Sequence, residues 1–262
     1  MGPQGKSWSD GRAASKLPLL LLPGTACDGC VFAPLLQALG DVDAIVGDMS
    51  GANTMPHLAE KILSAAPRRF ALLGFSLGGM AALELIAQQP ERIERLCLVD
   101  TNPRPDPEAN AAVRRAAVAR ARADGMDTFI LDTWPKPVSP TNAENANLRD
   151  TICAMARNTG PDKLAGHAEV AIHRADSRPR LGDIHVPTLI LAGEHERVCP
   201  LELHQEMAEG IPGSEYHTIP NAGHFALLEN PAAMAVHVRR WLNAAPLSPN
   251  ANHPSAAGRS SQ

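Results

Sequence analysis

Short apolar runs alternate along the chain with longer stretches whose apolar residues recur at helical spacing. The runs fall at 17–22, 44–46, 70–73, 96–99, 188–191 and 216–219. The helix-like stretches fall at 31–39, 54–66, 77–89 and 232–242. Several runs stop at breakers: Pro23-Gly24, Gly74, Ala192-Gly193 and Pro220-Asn221. Runs that are continuous rather than alternating indicate strands covered on both faces, and strand–helix alternation indicates a parallel sheet. The pattern predicts an α/β fold: a mostly parallel central sheet with helices on both faces.

One segment breaks this rhythm. From 101 to 183 there is no strand-like run. The segment opens on Asn102-Pro103-Arg104-Pro105-Asp106-Pro107, a stiff linker, and then reads as helices at 109–123, 148–157 and 163–174. It is expected to be an all-helical insertion in a core made of 17–100 and 184–243. Ligands of such sheets bind at the carboxyl ends of the strands. The insertion leaves from one of those ends, so it is expected to form a lid. Residues 1–16 read as a loose leader and 244–262 as a disordered tail, both from composition.

Composition narrows the function. Lys and Arg number 24 against 28 Asp and Glu, a net charge of −4. With no basic excess to neutralise phosphates, nucleic acid is not the expected partner. A polybasic membrane-surface role is disfavoured for the same reason. The longest aliphatic run, 19–22, is far too short for a membrane span. Five scattered cysteines do not make a disulfide scaffold, so a reducing, cytoplasmic setting is expected.

The chemistry-bearing residues follow the ends of the apolar runs. Gly74-Phe75-Ser76-Leu77-Gly78-Gly79 lies between a strand-like run and a helix. A serine on such a tight turn is held with its hydroxyl exposed, and the helix N-terminus behind it favours developing negative charge. The bland alternative is a glycine-rich turn with a capping serine. A nucleophilic serine needs a base, and the base an orienting acid. His224, in Asn221-Ala222-Gly223-His224, follows the run at 216–219 and is the candidate base. The stretch Gly193-Glu194-His195-Glu196-Arg197-Val198-Cys199-Pro200 offers the acid, Glu196. Asp100, ending its own strand, is the alternative acid, and Glu194 a third. Cys27-Asp28-Gly29-Cys30 is a lone pair of cysteines without a second pair or adjacent histidine, a poor zinc or redox signal. Arginines crowd the insertion, including Arg114, Arg115, Arg120 and Arg122. They read as a solvated helix face, with an anionic docking site, such as an acyl-carrier surface, as the alternative.

With Leu22-Pro23-Gly24-Thr25, the stretches 74–79 and 193–200, and Gly223-His224 in this order, the chain resembles the α/β-hydrolase superfamily, in its lidded single-domain branch of small serine esterases. The resemblance covers about 17–243, and the order Ser76, Glu196, His224 is that family's. It implies an oxyanion hole built from the backbone N–H groups of Leu77 and Thr25, with Ala26 as the alternative to Thr25. It implies a serine hydrolase that cleaves a carboxylic ester, lactone or thioester of a small-molecule substrate through an acyl-enzyme on Ser76, with no cofactor and no metal. Perhydrolases, acyl transferases, C–C bond hydrolases and slow-turnover ligand receptors resemble it too. Three departures matter. Pro23-Gly24 stands where His-Gly is common. Glu196 stands where aspartate is usual, one methylene longer, which keeps Asp100 in play. The chain before Leu17 is short, so the first strands often found in the family are expected to be missing or reduced.

Overall fold

A computed structural model describes residues 17–244. The expected leader and almost all of the expected tail lie outside the described residues, as does any strand before Leu17. Six strands form one sheet: β1 (Leu19–Leu22), β2 (Ala44–Val46), β3 (Phe70–Phe75), β4 (Ile93–Val99), β5 (Thr188–Gly193) and β6 (Glu215–Ile219). Their spatial order is β2-β1-β3-β4-β5-β6. Every pairing is parallel, as in Leu20 beside Leu72 and Leu72 beside Leu96. All of β1 and β3 and nearly all of β4 and β5 are buried, which is why their runs are continuously apolar. Within them, side chains alternate between faces. Leu19, Leu21, Leu73 and Val99 join one apolar layer, and Leu20, Leu22, Leu72 and Leu98 the other.

Outside the inserted segment, the helices are α1 (Ala33–Leu39), α2 (Met55–Ala65), α3 (Leu77–Gln88), α7 (Leu201–Gly210), α8 (Ala226–Glu229) and α9 (Pro231–Asn243). α7 gives a weak sequence signal because His204 and Met207 are its only buried residues. Between β4 and β5 lie α4 (Asn110–Asp124), α5 (Asp127–Leu131) and α6 (Ala146–Ile172). The stretches at 148–157 and 163–174 are two arms of α6. They meet at Gly160, whose φ of 74° is non-helical, and at Pro161, which lacks an N–H to donate. Buried residues of this segment, including Val118, Ile130, Val138 and Ile152, complete the first apolar layer. No helix among the described residues is long and apolar enough to cross a membrane.

The topology sets up a site. Strand order reverses between β1 and β3, and ligands of such sheets bind outside the carboxyl ends of the strands at that point. β3, β4, β5 and β6 are consecutive neighbours. Ser76, Asp100, Glu196 and His224 each follow the end of one of them.

Candidate active site

Ser76 sits on the turn from β3 into α3 with φ 52° and ψ −116°. A side chain in this left-handed region costs on the order of 1–3 kcal/mol and must be held by its surroundings. Its N–H donates to Val99 O (2.9 Å), and its carbonyl accepts from the Thr101 hydroxyl (2.7 Å) and Met80 N (3.1 Å). The tightness needs glycine at two points. A Cβ on Gly74 would lie 2.3 Å from Gly78 O, and one on Gly78 2.0 Å from Leu22 O. The turn therefore presses directly onto the end of β1, next to Thr25.

The Ser76 Oγ lies 3.0 Å from His224 Nε2, and His224 Nδ1 lies 2.6 Å from Glu196 Oε2. The ring of His224 is buried and packs at 5.2 Å from that of Phe75 and 5.7 Å from that of Phe225. Its backbone N–H donates to Pro137 O (2.9 Å), in the inserted segment. Glu229, on α8, braces the same loop: its carboxylate accepts from Gly223 N (2.8 Å) and from Ser139 N (2.7 Å).

Glu196 is buried, which disfavours its charge. The adjacent His224 ring and backbone N–H groups of Cys199 (3.0 Å) and Val198 (2.5 Å) on Oε1 outweigh that. Together they bring its carboxyl down to about 2. Asp100 is different. It is fully buried at φ 46°, its Oδ1 accepts from Gly193 N (2.8 Å), and its Oδ2 has no hydrogen-bond partner. Burial first, and the charge of Glu196 second, push its carboxyl well above the usual range. The two carboxyls are thus driven apart, with the negative charge favoured on Glu196, against the imidazole. Glu194 is exposed and accepts from Asn221 N (3.1 Å), away from this chain of contacts.

Leu77 is the first residue of α3, whose first-turn N–H groups lack a carbonyl four residues behind. Thr25 lies half-buried just past β1. Ala26, beside it, is buried at φ 56°, and its N–H is engaged by His167 Nδ1 (3.3 Å). His167 carries no local sequence signal, because its partner lies 141 residues away on another element. Cys27 is buried, its thiol pushed up to about 12 chiefly by burial, whereas Cys30 is exposed; both are free thiols. A cavity of about 630 Å³ opens between the 50–57 stretch and the second arm of α6, with Asn53, His57, Lys163 and Glu169 on its walls. Ser76, Glu196 and His224 do not line it. The arginines of the insertion are paired: Arg114 with Asp106 (2.8 Å), Arg115 with Glu169 (2.8 Å), Arg120 with Asp132 (3.0 Å) and Arg122 with Asp162 (2.9 Å).

A parallel α/β sheet with a serine, a histidine and a carboxylate in hydrogen-bonded series above its strand ends is the arrangement of a hydrolase. The chain belongs to the alpha/beta hydrolase family, whose profile matches residues 5–237. It is 29% identical over 253 residues to a pimeloyl-[acyl-carrier protein] methyl ester esterase of Xanthomonas campestris pv. campestris, covering 87% of this chain and 96% of that protein. Among solved structures, a thermophilic esterase from Thermogutta terrifontis superposes with a TM-score of 0.77 at 26% identity, covering 86% of this chain and 89% of that one. The enol-lactonase from Burkholderia xenovorans shares the fold, with a TM-score of 0.77 at 24% identity over 88% of this chain and 93% of that one. The protein is a hydrolase acting on ester bonds.

Proposed function

We propose that Ser76, His224 and Glu196 form a catalytic triad that hydrolyses a small-molecule carboxylic ester through an acyl-enzyme. The observation that carries this reading is the unbroken series from Ser76 Oγ to His224 (3.0 Å) to Glu196 (2.6 Å) on a strained strand-to-helix turn. His224 Nε2 accepts the serine proton as Oγ attacks the acyl carbon. The tautomer that permits this carries its hydrogen on Nδ1, donated to Glu196 Oε2, and the carboxylate stabilises the imidazolium that forms. The developing oxyanion is met by the N–H groups of Leu77 and Thr25. The Ala26 amide, already given to His167, is not the donor. The imidazolium then gives its proton to the leaving alkoxide. Water attacks the acyl-enzyme with His224 again as base, releasing the acid and the free serine.

The inserted helices serve as the lid and set the acyl specificity. Support comes from the contact of Pro137 O with the His224 backbone and from the Glu229 bridge between Gly223 and Ser139. The esterase relative acts, by its name, on the methyl ester of a carrier-bound pimeloyl chain, so methyl esters of medium-length acids are the first substrates to try. The paired arginines of the insertion favour a solvated face over an open anionic dock. Five free cysteines suit a cytoplasmic setting.

The test is turnover of p-nitrophenyl acetate, butyrate, octanoate and laurate by wild type and Ser76→Ala. The variant should fold and lose at least about 10³-fold in kcat. Unchanged turnover in the variant overturns the assignment of the nucleophile, and the wild-type chain-length profile gives the depth of the acyl pocket.

A further inference from the structure

Outside the triad, one buried titratable side chain joins the insertion to the loop after β1. His167, on the second arm of α6, is 2% exposed, and its Nδ1 accepts the Ala26 N–H at 3.3 Å. Ala26 holds a left-handed φ of 56° without being glycine. An alanine is strained in that region, so it persists only where a contact fixes it. The Ala26 side chain is itself 1% exposed in the apolar layer, which leaves the backbone N–H needing a buried acceptor. His167 supplies one, from an element separated in sequence by the whole of the first half of the domain.

The imidazole can accept only while Nδ1 is unprotonated. Burial, aided by the Lys163 ammonium on the same helix, brings its pKa down to about 4. The Met49 carbonyl and the Asp48 carboxylate, on the loop after β2, favour a proton on the ring and are outweighed. At neutral pH the ring is therefore neutral, with Nδ1 free to accept and the hydrogen on Nε2.

We propose that His167 is a positioning residue that sets the oxyanion loop from the inserted helix. This rests on the reading of Ser76 as nucleophile and of Thr25 as an oxyanion donor. By holding the Ala26 amide and its left-handed turn, His167 fixes the orientation of the preceding Thr25 amide toward the crevice above Ser76. It touches no reacting atom. Movement of the second arm of α6 away from the core releases the Ala26 amide, so the hole is complete only when the insertion is seated.

The experiment compares two substitutions. Asparagine places Oδ1 the same number of bonds from Cβ as Nδ1, so His167→Asn keeps an acceptor for Ala26. Phenylalanine fills the space and offers none. With p-nitrophenyl butyrate, His167→Phe should lower kcat at least about tenfold with KM within about threefold, and His167→Asn should recover most of it. Phenylboronic acid, which forms a tetrahedral adduct on a nucleophilic serine, should weaken as an inhibitor of the phenylalanine variant by a factor matching the loss in kcat. Equal losses in both variants, or a loss in KM with boronate inhibition unchanged, overturn the proposal. If the phenylalanine variant does not fold, His167→Leu replaces it: it offers no acceptor, and the same pattern against asparagine is read. Loss of activity in Ser76→Ala together with unchanged kcat in His167→Phe refutes this proposal alone. Retained activity in Ser76→Ala refutes the triad on which it rests.

Discussion

The strand core and the inserted helices hold the same site by different means. Around Ser76 the geometry is fixed by backbone pressed on backbone: Gly74 on Gly78, Gly78 on Leu22, and left-handed φ values at Ser76 and Asp100. The strands beneath are almost completely buried. In the insertion, α4 buries only Val118 and Ala121, and its outer face is tied down by exposed arginine–carboxylate pairs. Burial is strong and insensitive to conditions, whereas exposed ion pairs each contribute at most about 1 kcal/mol and are screened by salt. The strand ends thus form a rigid base, whereas the outer helix of the insertion is held by attachments that are weaker and adjustable. The two histidines that tie loop amides near the site illustrate the division: His204, on core α7, accepts Thr101 N at 3.0 Å, and His167, on the insertion, accepts Ala26 N at 3.3 Å.

The sharpest test of the core concerns its two buried carboxyls. Glu196→Gln should reduce kcat by about 10³–10⁴-fold, since it removes the charge and the tautomer control opposite His224. Asp100→Asn should stay within about fivefold, because burial already disfavours the Asp100 charge, its Oδ1 acceptor for Gly193 N survives, and asparagine tolerates a left-handed φ. If instead Asp100→Asn is the crippled variant, the acid has been assigned to the wrong strand end.

Next in size is a pair of glycine substitutions. Gly78→Ala drives a Cβ to 2.0 Å from Leu22 O, where only backbone can yield. A loss of more than about 3 kcal/mol is expected, seen as failure to fold or a large drop in Tm. Gly166→Ala, on α6, meets only Ala52 O at 3.3 Å. Relief of the helical glycine penalty offsets that crowding, and its Tm should stay within a change equivalent to about 1 kcal/mol. A tolerated alanine at 78 would contradict the rigid-base half of the comparison.

The buried histidines connect the regions through pH. Both rings are lowered to about 4, mainly by burial. As pH falls below the ordinary 6.5, the unfolded chain takes up protons that the folded rings refuse, so stability is lost progressively between pH 6.5 and about 4. Asp100, raised in the folded state, works in the opposite direction, adding stability as pH falls through its raised folded value toward 3.8. The carboxyl of Glu196, held to about 2, keeps its charge throughout. Replacing one histidine isolates its share: urea denaturation at pH 7.5 and 4.5 should show His167→Phe losing on the order of 2–3 kcal/mol less than wild type. Equal losses would mean that the ring is not neutral where it sits.

The difference between the regions also governs what could be read from the chain. Four strands were legible because they are buried on both faces, and the largely exposed edge strands β2 and β6 only from short apolar runs; Ser76, Glu196 and His224 stood out because each follows a strand end within a short, breaker-rich stretch. β3 runs to Phe75 and β4 starts at Ile93, beyond their apolar runs, because polar Arg95 and small Gly74 still pair in the ladder, with Glu94 passed over at a register shift between Ile93 and Arg95. The insertion was read as helical, including the separation of 148–157 from 163–174, which falls at the non-helical Gly160 and Pro161 within the span of α6; α5, five residues long, was not read. The contact of His167 with Ala26 was not accessible, since it spans 141 residues.

The smallest expected effect tests how lightly the insertion is attached. Arg115 on α4 pairs with Glu169 on the second arm of α6 through two contacts of 2.8 Å, and both side chains are partly exposed. The pair holds the outer helix to the arm that carries His167. Arg115→Gln should lower Tm only slightly, and by less at 0.5 M NaCl, where screening has already weakened the wild-type pair. In the core such a change would go unnoticed in turnover. Here it frees the arm that seats the Ala26 acceptor, so kcat for p-nitrophenyl butyrate should fall about twofold at low salt, with wild type falling toward the variant as salt rises. That scale follows from the small energy of an exposed pair. A salt-independent kcat in wild type would place the insertion with the rigid core and remove the contrast between the two regions.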